Sequence, residues 1–102
     1  MNIEIIDLKF GLPIVKIVKT KHEFHASTNM TFDINGKPSE LGVLAFGRTR
    51  FEALDHMRDR VRSMENAFMI ALGNDHPSAQ LCGRTATALR EEAENVTAQA
   101  TG

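Results

Sequence analysis

His22 and His25 form an H-x-x-H pair, a spacing that on a helix could present two imidazoles to one metal ion. Here the pair lies in a strand region, where odd spacing sends the rings to opposite faces. No convergent nitrogen or oxygen ligands accompany them, so they read as solvated histidines and no metal site is expected. Cys82 has no neighbouring histidine and falls on an apolar helical stripe. That pattern describes a buried small hydrophobe, since a reactive thiol needs an electropositive, partly open site. Asp55 with Asp59, and Glu91 with Glu92 or Glu94, are carboxylate pairs. Acid–base work requires one member in an apolar pocket so that their pKa values separate. These pairs instead alternate with arginine on polar helix faces. No G-x-S-x-G, Walker loop or G-x-G-x-x-G is present. The expectation is a non-enzyme, with no catalytic residue and no cofactor.

The remaining chemistry is cationic. Arg48, Arg50, Arg58, Arg60 and Arg62 gather where a strand should give way to a helix. Of these, Arg48, Arg50, Arg58 and Arg62 are the candidate partner-binding residues. Glu52, Asp55, Asp59 and Glu65 are interleaved with them and offset most of their field, and Phe51 is the one aromatic among them that could stack on a base. Residues 1–50 carry seven basic and five acidic groups, and residues 51–102 carry five and eight, giving +2 and −3. Neither half has the basicity of a domain held to nucleic acid by many phosphate contacts. A charged protein partner or head-to-tail association suits this asymmetry better. A nucleic-acid-binding regulator using the Arg48–Arg62 cluster is the alternative. Ala79–Ala86 bears on it, because Gly83 reads either as the turn of a helix-turn-helix or as a glycine tolerated inside one helix.

The elements that must position these groups divide the chain in two. Residues 1–47 are β-rich. Ile3, Ile5, Ile6 and Leu8 form a first run, closed by the breakers in Phe10-Gly11-Leu12-Pro13. Ile14–Lys19 is dense in β-branched residues, and Glu23–Thr28 could return as a third strand. Asn35-Gly36 predicts a type I′ turn joining Met30–Ile34 to Leu41–Phe46. Met30, Phe32 and Ile34 alternate with Thr31 and Asp33, giving one dry and one wet face. Pro38 is expected to fray the pairing just past the turn.

Past Thr49-Arg50-Phe51-Glu52, which has the form of a capping box, the period changes. Leu54, Met57, Val61, Met64, Phe68 and Ala71 recur at 3, 4, 3, 4, 3, predicting a helix over 49–72 that stops at Gly73. Asp55–Arg58, Asp59–Arg62 and Arg58–Glu65 fall within reach of surface ion pairs. Pro77 opens a second helix over 77–97, whose stripe is Cys82, Ala86, Leu89, Ala93 and Val96. Residues 98–102 have nothing to bury and should fray.

At 102 residues the chain is the length of a single domain, 1–102. One cysteine excludes an intramolecular disulfide framework, no apolar run approaches the roughly 20 residues of a membrane span, and Glu4 and Asp7 are unlike a signal peptide. The expected location is the cytoplasm, with no membrane contact.

Pro13–Val18, Glu23–Ser27 and Phe46–Asp55 together resemble the HicB-like antitoxin pattern of two strands, a Gly-x-Thr-x-x-Glu-Ala-Leu start to a helix, and an amphipathic helix. Gly47, Thr49, Glu52, Ala53 and Leu54 carry the most specific part, and the likeness covers residues 13–64. The chain departs from that pattern in lacking a Pro-Gly-Cys-like segment before Gly47 and in inserting the Asn35-Gly36 hairpin. The resemblance implies a non-catalytic, partner-binding domain.

These readings converge on an α+β fold: a small N-terminal antiparallel sheet packed on a long amphipathic helix, then a second C-terminal helix forming a helical hairpin. The expected function is a small protein-binding module that sequesters or inhibits a protein partner, antitoxin-like or of the kind a phage or other mobile element directs against a host complex. Phe68, Met69, Ile70 and Leu72 crowd the end of the first helix. They point either to a homodimer through these residues or to a second helix covering them.

Overall fold

The computed structural model describes the backbone of residues 2–101 and the side chains of residues 2–94. Its elements run β1 (Asn2–Asp7), β2 (Ile14–Lys19), β3 (Phe24–Ile34), β4 (Lys37–Gly47), α1 (Arg50–Leu72) and α2 (Pro77–Thr101). The four strands form one antiparallel sheet in sequence order, β1-β2-β3-β4. The α+β architecture is therefore as the two hydrophobic periods require.

Alternation decides which face of the sheet is covered. Ile6, Val15, Ile17, Ala26, Met30, Phe32, Val43 and Ala45 point to one face and are buried. Ala53, Leu54, Met57 and Val61 of α1 are also buried in this core, joined by Cys82, Ala86, Leu89 and Ala93 of α2. The expected stripe of α1 is thus fully buried only over its first half. Met64 and Phe68 are half-buried and Ala71 is exposed. Small residues on α2 allow close approach to α1: Gly83 leaves room where an added Cβ would meet the Glu65 carboxylate at 2.5 Å. α2 is unbroken through Ala79–Ala86, so Gly83 is not the turn of a helix-turn-helix.

Three local expectations change. Glu23–Thr28 and Met30–Ile34 are not separate strands, because β3 runs continuously from Phe24 to Ile34 and pairs with β4 along its whole length. Pro38 does not fray the hairpin, since the ladder holds down to Ile34↔Lys37. In antiparallel alternation the pair closing a two-residue turn is hydrogen-bonded, so Pro38, one step on, needs no N–H towards β3. α2 continues past residue 97 to Thr101; of the expected frayed tail, Gly102 lies outside the described residues, as does the Val96 side chain.

Asn35 and Gly36 have φ of 55° and 79°, the positive values of the type I′ turn. At the start of α1 the Thr49 hydroxyl accepts from the Glu52 amide at 3.0 Å. Glu52 Oε2 accepts from the Arg48 amide at 2.8 Å, one residue before the position in a standard capping box. Thr49→Ala should lower stability by about 0.5–2 kcal/mol, read as a lower melting temperature by circular dichroism. An unchanged melt would show that the Thr49 hydroxyl does not stabilise the start of α1. The second helix starts on His76, whose ring Nδ1 accepts from the Ser78 amide at 3.1 Å, with Pro77 in the first turn.

Candidate functional site

The four arginines expected to bind a partner do not form a free basic patch. Arg50 is the most enclosed, its side chain 13% exposed. Its Nε and Nη2 donate to the two oxygens of Glu4 on β1, both at 2.7 Å, and Nη2 also reaches Glu92 on α2 at 3.3 Å. One guanidinium at the start of α1 therefore ties an edge strand to the second helix. These hydrogen bonds hold the Glu4 carboxyl below its ordinary 4.5 and raise Arg50 above its usual value. Arg58 pairs with Asp55 at 2.9 Å and Asp59 at 3.3 Å. Arg62 pairs with Glu65 at 2.9 Å, in place of the Asp59–Arg62 and Arg58–Glu65 pairs expected from spacing. Of the four, only the Arg48 side chain pairs with none of the described residues.

The residues expected to associate at the end of α1 point in different directions. Phe68 packs on Phe32 of the sheet, ring centroids 4.7 Å apart. Met69 and Leu72 are half-buried, and Ile70 alone stands out, 88% exposed. A single exposed apolar residue is ordinary on a protein surface.

Of the H-x-x-H pair, His22 lies exposed in the turn before β3 and only His25 is on a strand, so the two do not face opposite sides of one strand as expected. His25 lies against the Phe46 ring edge-on, centroids 4.7 Å apart, and its Nε2–H donates to Glu23 at 2.9 Å. His56 Nδ1–H donates to the Phe46 carbonyl at 2.6 Å, pinning α1 to β4. Burial pushes the Cys82 thiol up to about 11, with Glu65 adding to the effect, so the thiol stays protonated at neutral pH. Among the described residues no three His, Cys, Asp or Glu come together to hold an ion, and no helix is long and apolar enough to cross a membrane.

The exceptional feature is the β1–β2 loop. Lys9, Phe10 and Gly11 take φ of 67°, 54° and 78° in succession. A positive φ is uncommon for any residue but glycine and a genuine outlier for a bulky one. The loop is held at both ends: the Lys9 amide donates to Asp7 Oδ1 at 2.9 Å, and the Leu12 amide to the Lys9 carbonyl at 2.9 Å. The strained turn lifts the Phe10 ring into solvent, 87% exposed. Beside it is a groove of about 330 Å³, with Leu8, Phe10 and Leu12 on one side and Arg84, Ala88 and Glu91 of α2 on the other. A second hollow of about 590 Å³ adjoins Leu8 and is bordered by Asp7, Lys9, Glu92 and Glu94. The surroundings of Phe10 are therefore apolar at the centre and of mixed charge at the rim, where Lys9 and Arg84 stand among the carboxylates and Glu92 and Glu94 are paired with Arg50 and Arg90. In the sequence, Phe10-Gly11-Leu12-Pro13 has the pattern of a strand terminator alone. The available signal was a large aromatic placed in a breaker segment, where a polar residue would serve as well.

Comparison with protein-family models, with curated proteins and with solved structures finds no match for this chain.

Proposed function

We propose that this chain is a small non-enzymatic protein-binding module of the cytoplasm that docks on a protein partner through the Phe10 loop. It would act by covering part of that partner, as an antitoxin or a mobile-element inhibitor of a host complex does. The observation carrying this reading is the Phe10 ring, displayed at positive φ and 87% exposed on a loop anchored at both ends. Backbone strain persists only where surrounding structure holds it and clusters at functional sites, and large aromatic side chains seated in a partner's pocket are enriched among the residues that dominate binding at interfaces. The partner that fits has an apolar pocket able to take the Phe10 ring beside Leu8 and Leu12.

The experiment is an affinity capture from the native host, comparing the wild type with Phe10→Ala. One stoichiometric protein retained by the wild type should be lost by Phe10→Ala, its affinity reduced roughly 30-fold or more. The variant's melting curve should match the wild type, because the exposed ring supports no core contact. Equal retention by both proteins, or by neither, overturns the reading. A nucleic-acid regulator working through Arg48–Arg62 has less support, since Arg50, Arg58 and Arg62 are already paired with carboxylates.

A further inference from the structure

The two helices cover one face of the sheet; the other is apolar at two separated margins. Ile3 and Ile5 of β1 are 56% and 62% exposed, Ile14 of β2 is 57%, and Leu44 and Phe46 of β4 are 48% and 41%. Summed over both margins they present on the order of 500 Å² of apolar surface, within the range a monomer can leave uncovered. With Lys16, Val18, His25 and Ser27 between them, the patch approaches the roughly 800 Å² that each partner contributes to a stable interface. Past Asn29 and Gly42 the β3–β4 hairpin turns Thr31, Asp33 and Glu40 outward, so the apolar area ends there.

The register gives this face a two-fold pattern. One cross-strand row is Ile3, Val18, His25, Phe46, and the next is Ile5, Lys16, Ser27, Leu44. Stacking a second sheet on this one about a two-fold axis parallel to the strands superposes β1 on β4 of the other copy, at the same height. Ile3 then meets Phe46, Ile5 meets Leu44, and Val18 meets His25. Lys16 meets Ser27, whose hydroxyl accepts from its ammonium, and not the other Lys16. The marginal pairs Ile3–Phe46 and Ile5–Leu44 are apolar on apolar, while in the next row Ile14 falls on Asn29 and Asp7 on Gly42, so the complementary part is these two rows, at the ~10 Å separation of aligned sheets.

We infer that the outer sheet face binds a second copy of this chain, forming a symmetric two-sheet sandwich. The contact lies on the sheet and not on Phe68, Met69, Ile70 and Leu72, and it is separate from the Phe10 loop. Sedimentation equilibrium of the full chain tests it. The wild type should run as a dimer, and Ile5→Asp and Leu44→Lys should each run as monomers that still melt cooperatively. The double variant Ile5→Asp with Leu44→Lys should regain the dimer, because each new aspartate faces a new lysine across the two-fold. Within one copy these positions are three strands, or about 14 Å, apart, so they cannot rescue each other internally. Ile70→Glu should leave the dimer intact. A wild type that is monomeric at millimolar concentration overturns the inference, as do single variants that still dimerise or a double variant that stays monomeric.

Discussion

Replacing Gly47 by alanine is expected to lower the melting temperature by roughly 5–20 °C. Gly47 closes β4 opposite Phe24, two residues before the N-cap of α1. A Cβ built there would stand 2.5 Å from the Ala53 amide nitrogen, 2.6 Å from the Glu52 Cβ and 2.8 Å from the Glu52 carbonyl carbon. Two of these three are backbone atoms of the first helical turn and cannot swing aside. The added methyl must therefore push α1 away from the strand, and the helix carries Ala53 and Leu54, both 0% exposed, directly behind the contact. Overpacking of this kind costs about 1–3 kcal/mol. Gly42→Ala is the control, since its Cβ would meet only the Asn29 side-chain oxygen, at 3.3 Å on the open face. Thermal melts of the two variants compare them directly. A Gly47→Ala melt no lower than that of Gly42→Ala would show that the junction has slack the structure does not suggest.

Arg50→Ala should cost about 1–2 kcal/mol at neutral pH. Hydrogen bonds to charged groups contribute about 1.5–3 kcal/mol, but Glu4 and Glu92 are 47% and 31% exposed, so solvent screens part of that. Arg50 Nη1 is buried without a partner, a penalty that the substitution removes. Arg50→Met should therefore recover some of the loss by filling the site without burying a charge. The pH dependence follows from Glu4, whose folded carboxyl titrates below its ordinary 4.5. Above that value both folded and unfolded chains hold it ionised and its contribution is fully present. As the pH falls below 4.5 the unfolded chain binds the proton first, and the contribution disappears as the pH passes the lower folded value. Urea midpoints measured between neutral and acid pH should fall less steeply for Arg50→Met than for the wild type. Parallel acid limbs would mean that the Arg50–Glu4 pair does not set this part of the profile.

The fold was readable where local period determines it. Leu54, Met57 and Val61 lie 3 and 4 apart and all are 0% exposed; Cys82, Ala86, Leu89 and Ala93 follow the same rule on α2. Asn35-Gly36 identified the hairpin because few dipeptides tolerate two positive φ values. The pattern divides β3 because polar Thr28 interrupts the inward apolar series Ala26, Met30, Phe32, yet its hydroxyl donates to the Ile14 carbonyl at 2.7 Å and the ladder runs on through Asn29↔Gly42. The Arg50–Glu4 bridge spans 46 positions, and no spacing rule reaches that far. The outer face was hidden for a related reason: Ile3, Ile5, Leu44 and Phe46 look like core residues until the helices choose one side of the sheet. Phe10 is masked by the glycine and proline beside it, which by themselves account for a turn and give no reason for a large aromatic there.

If the Phe10 ring is the anchor proposed above, the partner lies in contact with it. The most direct measurement places a photoactivatable phenylalanine analogue at position 10 and, as a control, at position 70, which is equally exposed on α1. Each protein is irradiated in native extract and its adducts are identified by mass. An adduct with one partner from position 10, absent from position 70, is the predicted result. An adduct from position 70 alone, or from neither position, would contradict it.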